Sequence, residues 1–141
     1  MTTTPDLDAY ERGRLVELYA RYTHAYDEGR ADDVADLFTV DGEFARPGAD
    51  PVRGRTDLAA MVRASAARGT GNRHLVSAVV VEAGPDGTAT GQAYVQVVGT
   101  TNGTRVVVMG RYDDDFAREH GRWRIRSRRF TPFGATPPTR S

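Results

Sequence analysis

The stretch "GNRHLVSAVVVEAG", Gly71 to Gly84, opens on turn residues, carries His74 into an apolar β-branched run and closes at a Gly-Pro-Asp-Gly turn. Strand alternation puts His74, Val76 and Ala78 on one face and Leu75, Ser77 and Val79 on the other. A histidine that shares a face with small apolar residues points either into a packed core or into a pocket. Counting this one, four β runs lie roughly at 72–83, 88–100, 104–117 and 121–131. The strings between them, "GPDG", "TNG" and "REHG", are compact turns with glycine where positive φ is needed. That spacing predicts an antiparallel meander.

Upstream of Gly71 the periodicity is helical. Asp6 or Asp8 can cap a first helix running to about Gly29, with Leu15, Tyr19, Tyr22, Thr23, Tyr26 and Asp27 on its inward stripe. Three tyrosines on that stripe predict a partly polar interior, because each buried hydroxyl wants a partner. His24 falls nearly opposite Tyr26 and is expected in solvent. A shorter helix, "RADDVADLF", should turn Val34, Leu37 and Phe38 inward. A turn is expected at Asp41-Gly42, then a short strand through Phe44 and a loop over "PGADPVRGRT". A third helix, "DLAAMVRASAARG", would present Leu58, Met61, Val62 and Ser65 on one side. Helices first and a long antiparallel sheet after them is the α+β pattern. A strongly curved sheet with helices on its concave face encloses one cavity. One domain over residues 1–133 is expected, with residues 1–5 frayed and 134–141 a disordered tail.

Composition narrows the chemistry. The chain has 141 residues, no cysteine and a formal net charge of zero. Thiolate metal sites, disulfides and cysteine nucleophiles are thereby excluded. Zero net charge offers no electrostatic case for nucleic acid or an anionic membrane. Every basic side chain other than histidine is arginine, so no lysine can form a Schiff base. No apolar run approaches the ~20 residues of a membrane span, and the first ten residues lack a signal peptide's pattern. A soluble cytoplasmic protein is expected. No HExxH helix or dense His/carboxylate cluster points to a metal, and no GxGxxG or Walker loop to a nucleotide. The expectation is a protein without cofactor.

The order of elements, with "YTHAYDEGRADDVADLFTVDGEF" (Tyr22 to Phe44), "NRHLVSAVVVE" (Asn72 to Glu82) and "GRYDDDFAREHGRWRI" (Gly110 to Ile125), resembles the NTF2-like superfamily and its SnoaL-like branch. The scytalone dehydratase and bile-acid dehydratase relatives are in that branch. The resemblance implies a cone-like α+β barrel, often a homodimer through the outer sheet face. It leaves the reaction open, because this fold hosts dehydratases, isomerases, cyclases, hydrolases and noncatalytic binding modules. Gly99 stands where scytalone dehydratase-like proteins carry a second histidine, and Arg46 where they carry a substrate-binding tyrosine.

Four residues are candidates for catalysis. Asp27 lies in the last turn of its helix, where the macrodipole disfavours a carboxylate, so solvation or an interaction, a local capping bond or a distant partner, must offset that cost. The dehydratase relatives carry a His–Asp pair at the positions matching Asp27 and His74, the aspartate in a "YD" string that is here Tyr26-Asp27. In that reading Asp27 orients His74, and the imidazole takes and returns a proton. Tyr26 would supply a hydroxyl to a substrate carbonyl or a water. On the third β run Tyr112, Asp114 and Phe116 share a face. Asp114 could be a second acid or base opposite His74, or else a solvated edge residue or the partner of an arginine among Arg122, Arg124 and Arg126. Tyr22, Phe44, Val76, Tyr112 and Phe116 complete the expected substrate lining. Trp123 reads as core or dimer-face packing. Arg124, Arg126, Arg128 and Arg129 read as a stripe paired with Asp113 to Asp115 across the strands.

Two functions follow. One is a cofactor-independent lyase or isomerase, a dehydratase or cyclase, acting on a small apolar or polyketide-like molecule, with an epoxide-opening hydrolase as a variant. The other is a noncatalytic binding or association module using the same cavity or sheet face.

Overall fold

The computed structural model describes residues 6–134. The segment expected to be frayed, 1–5, lies outside them, as does the expected tail apart from Gly134. Helix α1 (Ala9–Asp27) starts on Asp8, whose carboxylate accepts the Glu11 N–H at 2.7 Å. It buries Leu15, Leu18, Tyr19, Tyr22 and Ala25, while His24 is exposed as expected. Its end is set by Gly29 in the left-handed region (φ 70°). The Gly29 N–H bonds the Tyr26 carbonyl and the Arg30 N–H bonds the Ala25 carbonyl, the paired geometry of a Schellman stop. Asp27 is therefore fixed as the last helical residue.

Helix α2 (Ala31–Asp36) is shorter than its apolar pattern suggested. Phe38 does not belong to it but begins strand β1 (Phe38–Ala45), where the β-branched pair Thr39 and Val40 favours extended backbone. That strand continues through Asp41-Gly42 in place of the expected turn, but its pairing with the neighbouring strand is irregular there, residues 39–42 standing opposite Arg126 alone. Glycine is needed at 42 for a close approach: a Cβ there would lie 2.9 Å from the Ile125 carbonyl oxygen. Strand β2 (Val52–Arg53) pairs briefly with β1 inside the expected loop. Helix α3 (Arg55–Ala67) then buries Leu58, Ala59 and Val62.

The meander is β3 (Arg73–Ala83), β4 (Ala89–Gly99), β5 (Arg105–Glu119) and β6 (Arg122–Pro132). The sheet order is β2-β1-β6-β5-β4-β3, curved and unclosed. Since β1 runs parallel to β6, the sheet is mixed and not wholly antiparallel as expected. The helices and the inner sheet face bury one aromatic-rich core. Among the described residues no helix is long and apolar enough to cross a membrane.

Two irregularities decide which side chains face that core. On β3 the pairing steps from Ser77↔Tyr94 to Val80↔Gln92, leaving two residues opposite one. Ala78 takes φ 55° in this bulge. The phase of the strand reverses there: Val79 packs against the core and Val81 is buried, while Ala78, expected beside His74, is exposed. On β6 the pairing steps from Phe116↔Ile125 to Asp115↔Ser127, so Arg126 is the extra residue. Ile125 and Arg128 consequently face the same interior. The arginine stripe read from the sequence is thereby split, and Arg128 becomes the largest fully buried side chain of the chain's described part.

Candidate functional site

Helix α1 meets the edge strand β3 at two points. Near the start of the helix Arg12 Nη1 donates to the Val81 carbonyl at 2.8 Å. At its end Asp27 takes two bonds from one residue: Oδ2 accepts the His74 backbone N–H at 2.9 Å, and Oδ1 lies 2.6 Å from His74 Nδ1. These bonds offset the unfavourable position of a carboxylate at a helix C-terminus. Both side chains are largely shielded, with 14% of His74 and 9% of Asp27 exposed. Nδ1 carries a proton in the tautomer that satisfies the carboxylate, which leaves Nε2 with its lone pair. Tyr26 stands edge-on to the imidazole, ring centres 4.9 Å apart.

Pockets open on both sides of this pair. One, of about 230 Å³, lies between the end of α1, the end of α3 and the segment Gly69 to His74. The other, of about 600 Å³, is a groove between α1 and β3 lined by Val16, Tyr19, Thr23, His74, Val76 and Val79. Val76, expected as lining, is on this groove.

Inward from Tyr26 the aromatic residues continue. Tyr22 packs against Tyr26 at 5.6 Å and against Tyr112 at 6.1 Å. The rings of Tyr22, Tyr112 and Tyr19 surround the Arg128 guanidinium, whose carbon lies 4.2 Å from the Tyr112 ring centre, 4.3 Å from Tyr22 and 5.0 Å from Tyr19. Arg128 Nε and Nη2 donate to the two carboxylate oxygens of Asp114 at 2.9 and 3.1 Å, a fully buried two-point ion pair. Burial works against the charge on Arg128. The Asp114 charge and hydrogen bonds outweigh it, and the guanidinium is held more firmly protonated than usual. Burial pushes the phenols of Tyr22, Tyr112 and Tyr19 upward, so all three stay neutral donors.

Each expected site residue can now be placed. His74, Asp27 and Tyr26 come together, and Tyr22 and Tyr112 join them to the interior. Asp114 does face inward with Tyr112 and Phe116, and its arginine partner is Arg128, outside Arg122, Arg124 and Arg126 but within the stripe expected to pair with Asp113 to Asp115. Phe44 sits in register beside Arg128 on the neighbouring strand. Phe116 is wholly buried against Tyr19, ring centres 6.0 Å apart. Trp123 lies partly buried beneath the Arg118 guanidinium at 4.6 Å. Sequence reasoning missed Arg128 as an interior group. The only signal was its sequence distance from Asp114, and the bulge at Arg126 hides that. Among the described residues no group of three or more His, Cys, Asp or Glu side chains is placed to hold a metal.

The family model of a SnoaL-like domain matches residues 8–129. The chain belongs to the SnoaL-like family. Rv3472 of Mycobacterium tuberculosis, a protein of unknown function, is 32% identical with a TM-score of 0.80, covering 87% of this chain and 72% of that one. Aln2 from a Streptomyces species is 27% identical with a TM-score of 0.82, covering 89% and 93%. An NTF2-like protein with a cystatin-like fold from Novosphingobium aromaticivorans, 24% identical, has a TM-score of 0.83 and covers 90% and 84%, a likeness of fold. No curated protein matches the chain. The SnoaL-like, NTF2-like resemblance read from the sequence strings is thus borne out.

Proposed function

We propose that this SnoaL-like protein is a cofactor-independent lyase or isomerase, of dehydratase or cyclase type, working by proton transfer at His74. The observation that carries the reading is the double grip of Asp27 on His74. One carboxylate oxygen faces the ring nitrogen and the other holds the same residue's backbone N–H, so ring orientation and tautomer are set together. Nε2 is then the general base. It removes a proton next to a substrate carbonyl, the C–H electron pair forms the enolate double bond, and the carbonyl oxygen takes up negative charge. Tyr26, whose ring borders the imidazole, donates its hydroxyl to a substrate oxygen. Loss of a β-hydroxyl as water completes a dehydration, with His74 returning its proton to the leaving oxygen. Reprotonation at another carbon completes an isomerisation, and attack of the enolate on a second carbonyl a ring closure. Asp114 acts here as the counterion of Arg128 and not as a separate acid.

The apolar groove and the aromatic interior favour a small cyclic, polyketide-like substrate over a sugar or nucleotide. The protein works in the cytoplasm as a homodimer joined by the outer sheet face, where Leu75, Tyr94 and Met109 leave 55%, 50% and 40% of their surface exposed. Sedimentation of the free protein tests that pairing.

The activity test incubates a host metabolite extract with wild type, Asp27→Asn and His74→Ala, and follows it by mass spectrometry. Wild type should produce a species lighter by one water, or one of equal mass and new retention. Both variants should remain folded and lose about 10²–10⁴-fold in rate. Equal turnover by wild type and His74→Ala sinks the base. If no species changes but ligands are retained by wild type, the noncatalytic binding module is the better reading.

A further inference from the structure

A separate cavity lies toward the opposite end of α1 from the Asp27–His74 pair. It holds about 560 Å³ between the α1 segment Tyr10 to Arg21, the end of α2 and the β5–β6 hairpin. It shares no lining residue with the two pockets beside His74, and Arg14 on its wall stands about 20 Å along the helix from Asp27. Arg14 and Arg21 line it from the helix, and Arg118, Arg122 and Arg124 from the hairpin. Against these five arginines stand three carboxylates, Glu11, Glu17 and Asp36. Glu17 is shared between Arg14 at 3.4 Å and Arg21 at 3.2 Å, and Glu11 is taken by Arg118. Asp36 gives Arg124 its backbone carbonyl. Arg122 has no ion-pair partner among the described residues. Deeper in the wall Trp123 Nε1 and Arg124 Nε are buried without a hydrogen-bond acceptor, the latter 3.6 Å from Glu119. We infer that this cavity is a second ligand site, which takes the phosphate group of an aryl phosphate monoester. It stands apart from proton transfer at His74 and does not depend on it.

Charge selects the group. The cavity wall has two more arginines than carboxylates, although the chain as a whole has no net charge. A concave surface focuses such an excess into a local positive potential. A phosphate monoester near neutral pH carries close to two negative charges on one group and offsets it. Shape agrees with charge. The guanidiniums arrive from two walls, helix and hairpin, and a tetrahedral phosphate has three acceptor oxygens to meet both. A planar carboxylate presents two oxygens in one plane and suits a single guanidinium. The Arg118 guanidinium is already held flat over the Trp123 ring at 4.6 Å, so less side-chain freedom is lost when it binds. Tyr10 supplies the surface for the organic part: it lines the same cavity and leaves 75% of its area exposed.

Trp123 is the only tryptophan in the chain, so its fluorescence, excited beyond tyrosine absorption, reports on this cavity. The test titrates phenyl phosphate, phenyl sulfate and benzoate in dilute buffer, with calorimetry of the same probes to detect binding that leaves the indole undisturbed. Phenyl phosphate should bind tightest, about tenfold or more above phenyl sulfate, which has the same shape and one charge, and benzoate weakest. Arg122→Gln should weaken phenyl phosphate by about tenfold. Glu17→Gln releases both Arg14 and Arg21 and should tighten it. Arg105→Gln makes the same charge change as Arg122→Gln at the other end of β5 from Arg118, and should leave affinity as it was. All three side chains reach solvent, so the variants should fold. No phenyl phosphate binding by either method, benzoate or sulfate binding as tightly, or equal losses in Arg105→Gln and Arg122→Gln overturns the inference. His74→Ala should keep the phenyl phosphate affinity while losing turnover. Loss of that affinity in His74→Ala would place the probe at the other site and overturn the inference, whereas turnover that survives His74→Ala removes the base and leaves the phosphate site standing.

Discussion

Deleting one partner of the interior ion pair should be far worse than deleting both. In Asp114→Ala the Arg128 guanidinium keeps its three tyrosine faces but loses both hydrogen bonds of a pair in which each side chain is fully shielded from water. Stranding a buried charge costs about 3–5 kcal/mol, a large part of the roughly 5–15 kcal/mol that holds a domain folded. For a chain of this size that is a fall in Tm of about 10–15 °C. Arg128→Met/Asp114→Leu fills similar volume without charge, and such exchanges are often neutral or stabilising. The double variant should therefore recover most of the loss, a coupling of about 3 kcal/mol or more between the two positions. Urea titrations of wild type, both single variants and the double variant, with unchanged slopes, give the coupling directly. A cost for Asp114→Ala below about 1 kcal/mol, as for a solvated surface pair, would refute the picture of a dry, caged cation. So would a double variant no more stable than the single one.

Three further outcomes are expected. Gly91→Ala places a methyl group 2.4 Å from the Tyr19 hydroxyl and 2.8 Å from the Phe116 ring, and should cost about 1–3 kcal/mol by urea titration. Ala78→Gly relieves a left-handed alanine at the β3 bulge, and should stabilise by up to about 1 kcal/mol by the same measurement, after the glycine's greater unfolded-state entropy is counted. The Glu119 carboxyl is held below its ordinary value of 4.5, first by the Val40 N–H and then by the Arg55 guanidinium. A depressed folded value means its stabilisation is present above the unfolded value and is lost as pH falls through the folded one. Glu119→Gln should accordingly flatten the loss of stability below about pH 4.5, and an acid-limb urea series checks it.

What was legible in the sequence is what local chemistry writes. Asp8 as a cap, Gly29 as a stop and the glycine turns between the β runs each depend on a few neighbours. The inward face Tyr112, Asp114, Phe116 was legible because β5 alternates without interruption there. The β3 and β6 faces were misread after their bulges, since Ala78 and Arg126 are not the glycines that usually mark such positions. The parallel pairing of β1 with β6 sets Phe38 beside Ile125, far along the chain, and no local pattern at Asp41-Gly42 encodes it. Asp27 and His74 are 47 residues apart. Their approach was expected only through the family resemblance, and the second bond, to the His74 backbone, was not expected at all.

That second bond gives the site a built-in reporter. The same carboxylate that faces the His74 ring holds the His74 amide proton, at the unpaired margin of the sheet where exchange with water would otherwise be fast. Slow deuterium uptake at that single amide therefore tracks the population in which the imidazole is correctly aimed. It can be followed in the resting protein, before any substrate is known. A variant that frays the helix end should speed uptake and lower turnover in proportion, whereas one that damages only ligand contacts should leave the amide as slow as in wild type.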